Sequence, residues 1–331
     1  MNKNIRYLFF EFCILNFVFF FPPLGGERGA CQQPPQWSQY LFNNYMINPA
    51  VGGLKDYMDI KLGYRYQWLG IFDAPPQTMF ISIHKPFNLY QEPNEYTKKF
   101  NGLGASISKD ATGPISNIDL KISYSRHKRL GRKDWASAGI ALGVMQFRLN
   151  AGGLIAAPPG DPDLLDPDVR SISAFAPDIQ GGVWFTGERY FAGASVYQIF
   201  PMPLGGTRSK LSHHYYFMGG YKHSYNPWWA IIPMAEIKNG VMTPFTFDVN
   251  ANVEYINKYP GALEKVWGGI GYRKGDAIVL NIGTVIGYIE VGYAFDYTLS
   301  GLRRYSSNTH EIIIGFRYTK IEREPRCPAW G

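Results

Sequence analysis

Nine charged residues stand out by where they fall in the chain. Asp59, Lys61 and Arg65 alternate with Met58, Ile60, Leu62, Tyr64, Tyr66 and Trp68. Asp248 and Glu254 do the same among Phe245, Phe247, Val249, Val253 and Tyr255. Glu290 and Asp296 alternate with Ile289, Val291, Tyr293, Phe295 and Tyr297, and Glu311 and Arg317 with Ile312, Ile314, Phe316 and Tyr318. Successive side chains of a strand point to opposite faces, so in each segment the charges share one face and the apolar residues the other. A charged face of this kind could line a hydrated pore. The reading adopted is an ion-paired, hydrogen-bonded network that fills or braces an enclosed interior.

Three other groups of residues invite a chemical reading. Arg126–Lys133 (R-H-K-R-L-G-R-K) concentrates Arg126, Lys128, Arg129, Arg132 and Lys133, as a membrane-proximal turn touching anionic lipid or as a docking patch for a partner protein. Gly160–Arg170 carries two Asp-Pro-Asp units, whose oxygens could hold Ca²⁺, but the spacing fits no calcium loop and a proline-stiffened surface loop is favoured. His213 and His214 are adjacent, so on a strand they face opposite ways and cannot share a metal. The chain has no H-E-x-x-H, C-x-x-C, Walker or G-x-S-x-G motif, and Gly269-Ile270-Gly271 sits in a strand pattern with no following helix. No catalytic, cofactor or metal site is expected, and the chain is not expected to be an enzyme.

The elements that must position these residues are strands. Besides the four segments above, Asn117–Ser125 sets Ile118, Leu120, Ile122 and Tyr124 against Asp119, Lys121, Ser123 and Ser125. Weaker alternation marks 77–86, 102–109, 135–147, 176–186, 189–199, 212–222, 227–236, 264–273 and 276–284, fourteen candidate strands in all. Several reach the roughly 9–11 residues that cross a membrane at a tilt. Gly181, Gly182, Gly219, Gly220, Gly268, Gly269 and Gly271 are expected on inner faces, relieving crowding where a sheet curls. With 331 residues, 23 tyrosines, 22 phenylalanines and a mean hydropathy of −0.19, the composition excludes a bundle of membrane helices and suits aromatic girdles. No linker divides the chain. The expected fold is all-β: a transmembrane antiparallel β-barrel of about 14 strands over 57–319.

The first residues look like an address. Lys3 and Arg6 precede an apolar stretch to Phe21 and then Pro22-Pro23, the pattern of a signal peptide over about 1–31. Cutting after Cys31 leaves Gln32 first; acylation of Cys31 would want a hydrophobic residue where Arg28 stands. Cys13 leaves with the signal and Cys327 is then unpaired, unless Cys31 is kept and bridges to it. Cleavage lowers the net charge from +7 to +6. No basic helix or RNA-binding motif accompanies that charge, so no nucleic-acid partner is expected; membrane lipid is. Residues 32–56 are expected to form a plug or a periplasmic rim segment, and 320–331 a periplasmic tail. With periplasmic termini, the connections 149–175, 200–211 and 299–309 fall outside and 187–188, 223–226 and 285–288 inside. That is the long-outside, short-inside asymmetry of bacterial barrels. The long 87–101 link and the short Lys274-Gly275 turn run against it.

An ordered set of motifs then points to a family. Pro35-Gln36-Trp37-Ser38-Gln39-Tyr40, followed by Asn48-Pro49-Ala50, resembles the mature N-terminus of the PorP/SprF proteins of Bacteroidota. The likeness continues through Tyr64–Trp68, Ala74–Thr78, Gly102–Gly104, Pro177-Asp178 with Gly181-Gly182, Trp267–Gly269, and Arg326-Cys327-Pro328. Pro34 and Trp37 depart from the family's usual acidic residue and Phe. The resemblance implies a non-catalytic outer-membrane component of the type IX secretion system, serving protein secretion or gliding. Its implied partners are a periplasmic peptidoglycan-binding lipoprotein and ring proteins, or one large secreted surface adhesin. The alternative is a passive channel for small solutes.

Overall fold

Fifteen strand segments pair in sequence order, and the last returns to the first. The computed structural model describes residues 35–70, 75–87, 99–131, 133–150, 171–200, 212–240, 243–259, 263–306 and 308–318. The strands are β1 (Met58–Tyr66), β2 (Gln77–Phe87), β3 (Lys99–Thr112), β4 (Ile115–Arg129), β5 (Trp135–Asn150), β6 (Ser171–Thr186), β7 (Tyr190–Tyr197) and β8 (His214–Tyr221). They continue as β9 (His223–Ser224), β10 (Trp229–Gly240), β11 (Thr243–Ile256), β12 (Leu263–Arg273), β13 (Ala277–Ile286), β14 (Ile289–Thr298) and β15 (Thr309–Tyr318). Segments β8 and β9 are one crossing interrupted at Lys222, because both meet β10 in a single register, Met234↔Gly220 and Ala230↔Ser224. The fourteen crossings close where β1 pairs antiparallel with β15, Met58↔Tyr318 to Tyr66↔His310. A closed sheet leaves no edge, so every strand finds its ladder bonds within the barrel, as hydrocarbon surroundings require.

The dyad pattern sorts the side chains as a membrane barrel needs. On β2, Thr78, Phe80, Ser82 and His84 are buried inside while Met79, Ile81, Ile83 and Lys85 point out. Ile122 is 64% exposed and Ile282 58%, and an outer wall of such residues is stable only against lipid. No helix among the described residues could cross a membrane; the crossings here are strands. The paired glycines divide between the faces instead of sharing the inner one. Gly182 and Gly220 follow the inward parity of buried Trp184 and Met218, while Gly181 and Gly219 face outward with their odd-numbered neighbours.

Sequential antiparallel crossings give two rims. The terminal rim holds the start of β1, the end of β15 and the connections after β2, β4, β6, β9, β11 and β13. The distal rim holds the connections after β1, β3, β5, β7, β10, β12 and β14. Exposed Tyr225, Tyr259 and Tyr288 lie in terminal-rim connections and Tyr305 in a distal one, the placement of interfacial girdles. The Asp-Pro-Asp loop, the 88–98 link and the C-terminal tail fall outside the described residues.

Candidate functional site

The lumen is occupied by the chain's own N-terminal segment. Between Trp37 and Lys55 every residue except Met46 is buried, and Met46 packs against the same core. The segment folds as far as its composition allows. A single turn, α1 (Asn44–Ile47), stops at Asn48, which adopts an extended conformation before Pro49. Asn48 caps the next turn, Pro49–Val51, by accepting the Ala50 N–H at 3.0 Å, and Pro49 supplies a fixed φ at its start. Trp37, Tyr40, Phe42, Tyr45, Ile47 and Val51 then form the hub of the main apolar cluster with inward Phe80, Trp135, Trp184, Phe191, Met218 and Trp267.

The wall recognises the segment largely through its backbone. Ser38 and Gln39 donate their N–H groups to Glu311 at 2.8 and 3.0 Å. Gln180 and Ser195 donate to the Ile47 carbonyl at 2.9 and 2.7 Å, and Asn48 donates to the Val183 carbonyl at 2.9 Å. Lys61 donates to the Phe42 carbonyl and Ser125 to that of Gly52. The Tyr45 and Ser123 hydroxyls bond at 2.7 Å, and the Gly53 N–H reaches His84 at 3.2 Å. Close approach is bought by glycine: a Cβ on Gly139 would lie 2.5 Å from the Ala50 nitrogen, and one on Gly182 2.1 Å from Asn48 Oδ1.

The nine charged residues read from sequence fall into three groups around this segment. Near the distal rim, Arg65 meets Asp296 at 2.8 Å and Glu311 at 3.0 Å, and Arg273 meets Asp296 at 2.9 Å and Asp248 at 3.3 Å. The Ser38 hydroxyl sits among them, donating to Asp296 at 2.7 Å and accepting from Arg65 at 2.5 Å. Near the terminal rim, Lys61 lies 3.7 Å from Asp59 and 3.9 Å from Glu290, Lys55 3.0 Å from Asp59, and Arg317 2.8 Å from Glu290. Glu254 pairs apart from these with Lys222 at 2.9 Å and Lys265 at 3.4 Å. Burial acts to lower the pKa of the Lys55 ammonium, but Asp59, Tyr57 and Glu290 together outweigh it and hold Lys55 above the usual lysine range.

Sequence reading missed Lys55, Glu236, Lys238 and Arg273, and it set Asp119 and Lys121 on one strand face without Asp178, which Lys121 meets at 2.8 Å while lying 2.5 Å from Asp119. Arg273 shares the parity of Gly269 and Gly271, a signal that could have placed it inside. The expected basic turn is different in kind. Strand β4 runs through Arg129, so Arg126 and Lys128 point outward from the wall, Arg129 donates to the Gly131 carbonyl at 2.8 Å, and Lys133 pairs with Glu188. Arg132 lies outside the described residues. Among the described residues, spaces beside the segment include one of about 20 Å³ between Ser38 and Trp267 and one of about 60 Å³ among Asp110, Asp119, Asp178 and Gln198. Spaces of that size suit water.

Residues 30–316 match the family described as type IX secretion system membrane protein PorP/SprF. The chain belongs to the PorP/SprF family. That membership, with the closed barrel, makes this PorP/SprF protein an outer-membrane component of type IX secretion, and other components of that system its partners. No curated protein matches its sequence. Its barrel is similar to the CymD monoaromatic hydrocarbon channel, with a TM-score of 0.53 at 13% identity over 89% of this chain and 95% of that one. It is similar too to the Pseudomonas putida toluene transporter TodX, at 0.51 and 10% over 84% and 93%. A Pseudomonas aeruginosa FadL homologue gives 0.50 and 9% over 86% and 95%. At these identities the likeness is one of fold alone.

Proposed function

We propose that this PorP/SprF protein is a non-catalytic secretion component whose barrel is a plugged scaffold. The terminal rim faces the periplasm and the distal rim the cell surface. The observation that carries the reading is the lumen: residues 37–55 are packed and bonded to the wall from β1 round to β15, and a passage for solutes needs that volume. Work is then done at the rims. Periplasmic partners, a peptidoglycan-binding lipoprotein or ring proteins, would meet the terminal rim, with Arg129 and Lys133 in reach. An exported surface adhesin would meet the distal connections. Deleting the gene should abolish surface delivery of type IX substrates and leave uptake of small solutes unchanged.

The second reading is a passive channel, supported by the fold shared with the CymD monoaromatic hydrocarbon channel and the toluene transporter TodX. Conductance or solute flux by the purified full-length barrel in a planar bilayer would favour it. Loss of solute uptake with secretion intact in the deletion strain would replace the scaffold reading.

A further inference from the structure

A group of exposed cations lies on the outer wall, where β2, β3 and β4 approach the terminal rim. Lys85, Lys99, Arg126 and Lys128 are all exposed and all share the outward parity of Ile83, Leu103, Ile122 and Tyr124. Register brings them together. Lys99 lies directly opposite Lys128, and Lys85 opposite Leu103, two positions before the Tyr124–Leu103 pair gives way to Arg126 opposite Asn101. Directly opposed residues hold their Cβ atoms roughly 5 Å apart, and like charges in that relation repel. No carboxylate occupies an outward position of β2, β3 or β4 among the described residues, and the flanking outward positions of β5 are Ala136 and Ala138, which leave room beside Lys128 and Arg126.

Inward along the strands from Arg126 the same face becomes Leu103 and Tyr124, with Lys85 on their rung, and then Ile83 and Ile122, exposed apolar wall. Cations at the depth of the headgroups with apolar surface beside them fit a ligand with a negative head and acyl tails. We propose that Lys85, Lys99, Arg126 and Lys128 bind the phosphate headgroup of an anionic phospholipid in the leaflet at the terminal rim. The bound phosphate relieves the Lys99–Lys128 repulsion, and the tails lie along the apolar wall. The proposal rests on the barrel spanning a membrane and not on its part in secretion.

Native mass spectrometry of the full-length protein in detergent, titrated with phosphatidylglycerol or phosphatidylcholine of matched chains, tests it. Phosphatidylglycerol adducts should survive at activation that strips phosphatidylcholine. Each single substitution, K85Q, K99Q, R126Q or K128Q, should weaken binding about fivefold, from the roughly constant contribution of each basic residue near a headgroup. K109Q, which removes an outward cation at the other end of β3, should leave it unchanged. Heat-modifiable mobility on gels confirms that each variant is a folded barrel. Equal retention of both lipids, or retention unchanged in the quadruple variant, overturns the proposal. So does binding that appears only in E92Q/E95Q, which would mean the chain's own glutamates take the site. Unchanged lipid retention in R126Q/K128Q together with loss of a co-purifying periplasmic protein would assign the patch to that protein instead.

Discussion

Replacing Glu311 with Ala tests whether the lumen segment is held by specific charge or only by apolar packing. The Glu311 carboxylate accepts three hydrogen bonds, from the Ser38 N–H at 2.8 Å, the Gln39 N–H at 3.0 Å and Arg65 Nη1 at 3.0 Å. E311A leaves two buried backbone donors without partners, at about 1–3 kcal/mol each. Arg65 keeps Asp296 at 2.8 Å, so its charge is not left alone, and that part of the loss falls below the 3–5 kcal/mol typical of a broken buried pair. The total comes to about 4 kcal/mol if the segment stays in place. Guanidinium unfolding in micelles, followed by tryptophan fluorescence, measures it. The segment can instead release locally, and trypsin reports that, because Lys55 is the only Lys or Arg between residues 35 and 56 and is buried against Asp59. The double variant R65M/E311L should lose less than the sum of its single variants, since it removes both charges together. A loss under about 1 kcal/mol with no gain in cleavage at Lys55 would refute the claim that Glu311 anchors the segment.

The two faces of the wall should differ in tolerance: Ile282→Arg should cost about 2–4 kcal/mol of folding stability in lipid, and Asn281→Ser on the inner face of the same strand about 1 or less. Equal losses would mean the faces are reversed. Maleimide labelling of intact cells should mark Tyr305→Cys above the wild-type background and spare Tyr288→Cys; the opposite result turns the barrel over. Gly139→Val drives a side chain into the Ala50 backbone, so tryptic cleavage at Lys55 should speed up while the barrel keeps its heat-modifiable mobility.

The crossings were legible because lipid outside and a polar, packed lumen inside impose a period of two. Where that contrast ends, legibility ends with it. Alternation marks 102–109, yet β3 runs from Lys99 to Thr112; it marks 176–186, yet β6 begins at Ser171. The extra residues stand beyond the hydrocarbon, where outward positions such as Lys99 and Ser171 are wet and the two faces no longer differ. The charges Asp59, Arg65 and Glu290 could be read because each interrupts an apolar rhythm. Their partners could not, since Arg65 and Glu311 are 246 positions apart and meet only through closure of β1 on β15. Lys55 escaped because it precedes the first strand, and the glycine pairs divide because adjacent residues of a strand face opposite ways.

The seam between β1 and β15 carries a consequence for how the molecule is made. Ser38 is synthesised among the first residues of the described chain and Glu311 among the last, and their bond lies inside the wall that β15 completes. A closed cylinder offers no side entrance, so the segment either lies along the interior before the final strand arrives or enters afterwards through a rim. In either order the grip on Ser38 and Gln39 waits for Glu311 on the last strand, 273 and 272 positions away, and contacts so distant in sequence form slowly. Where the segment is inside first, it serves as a mandrel around which the sheet is wrapped, and a chain that lost its hold on Glu311 would be slowest at that last join.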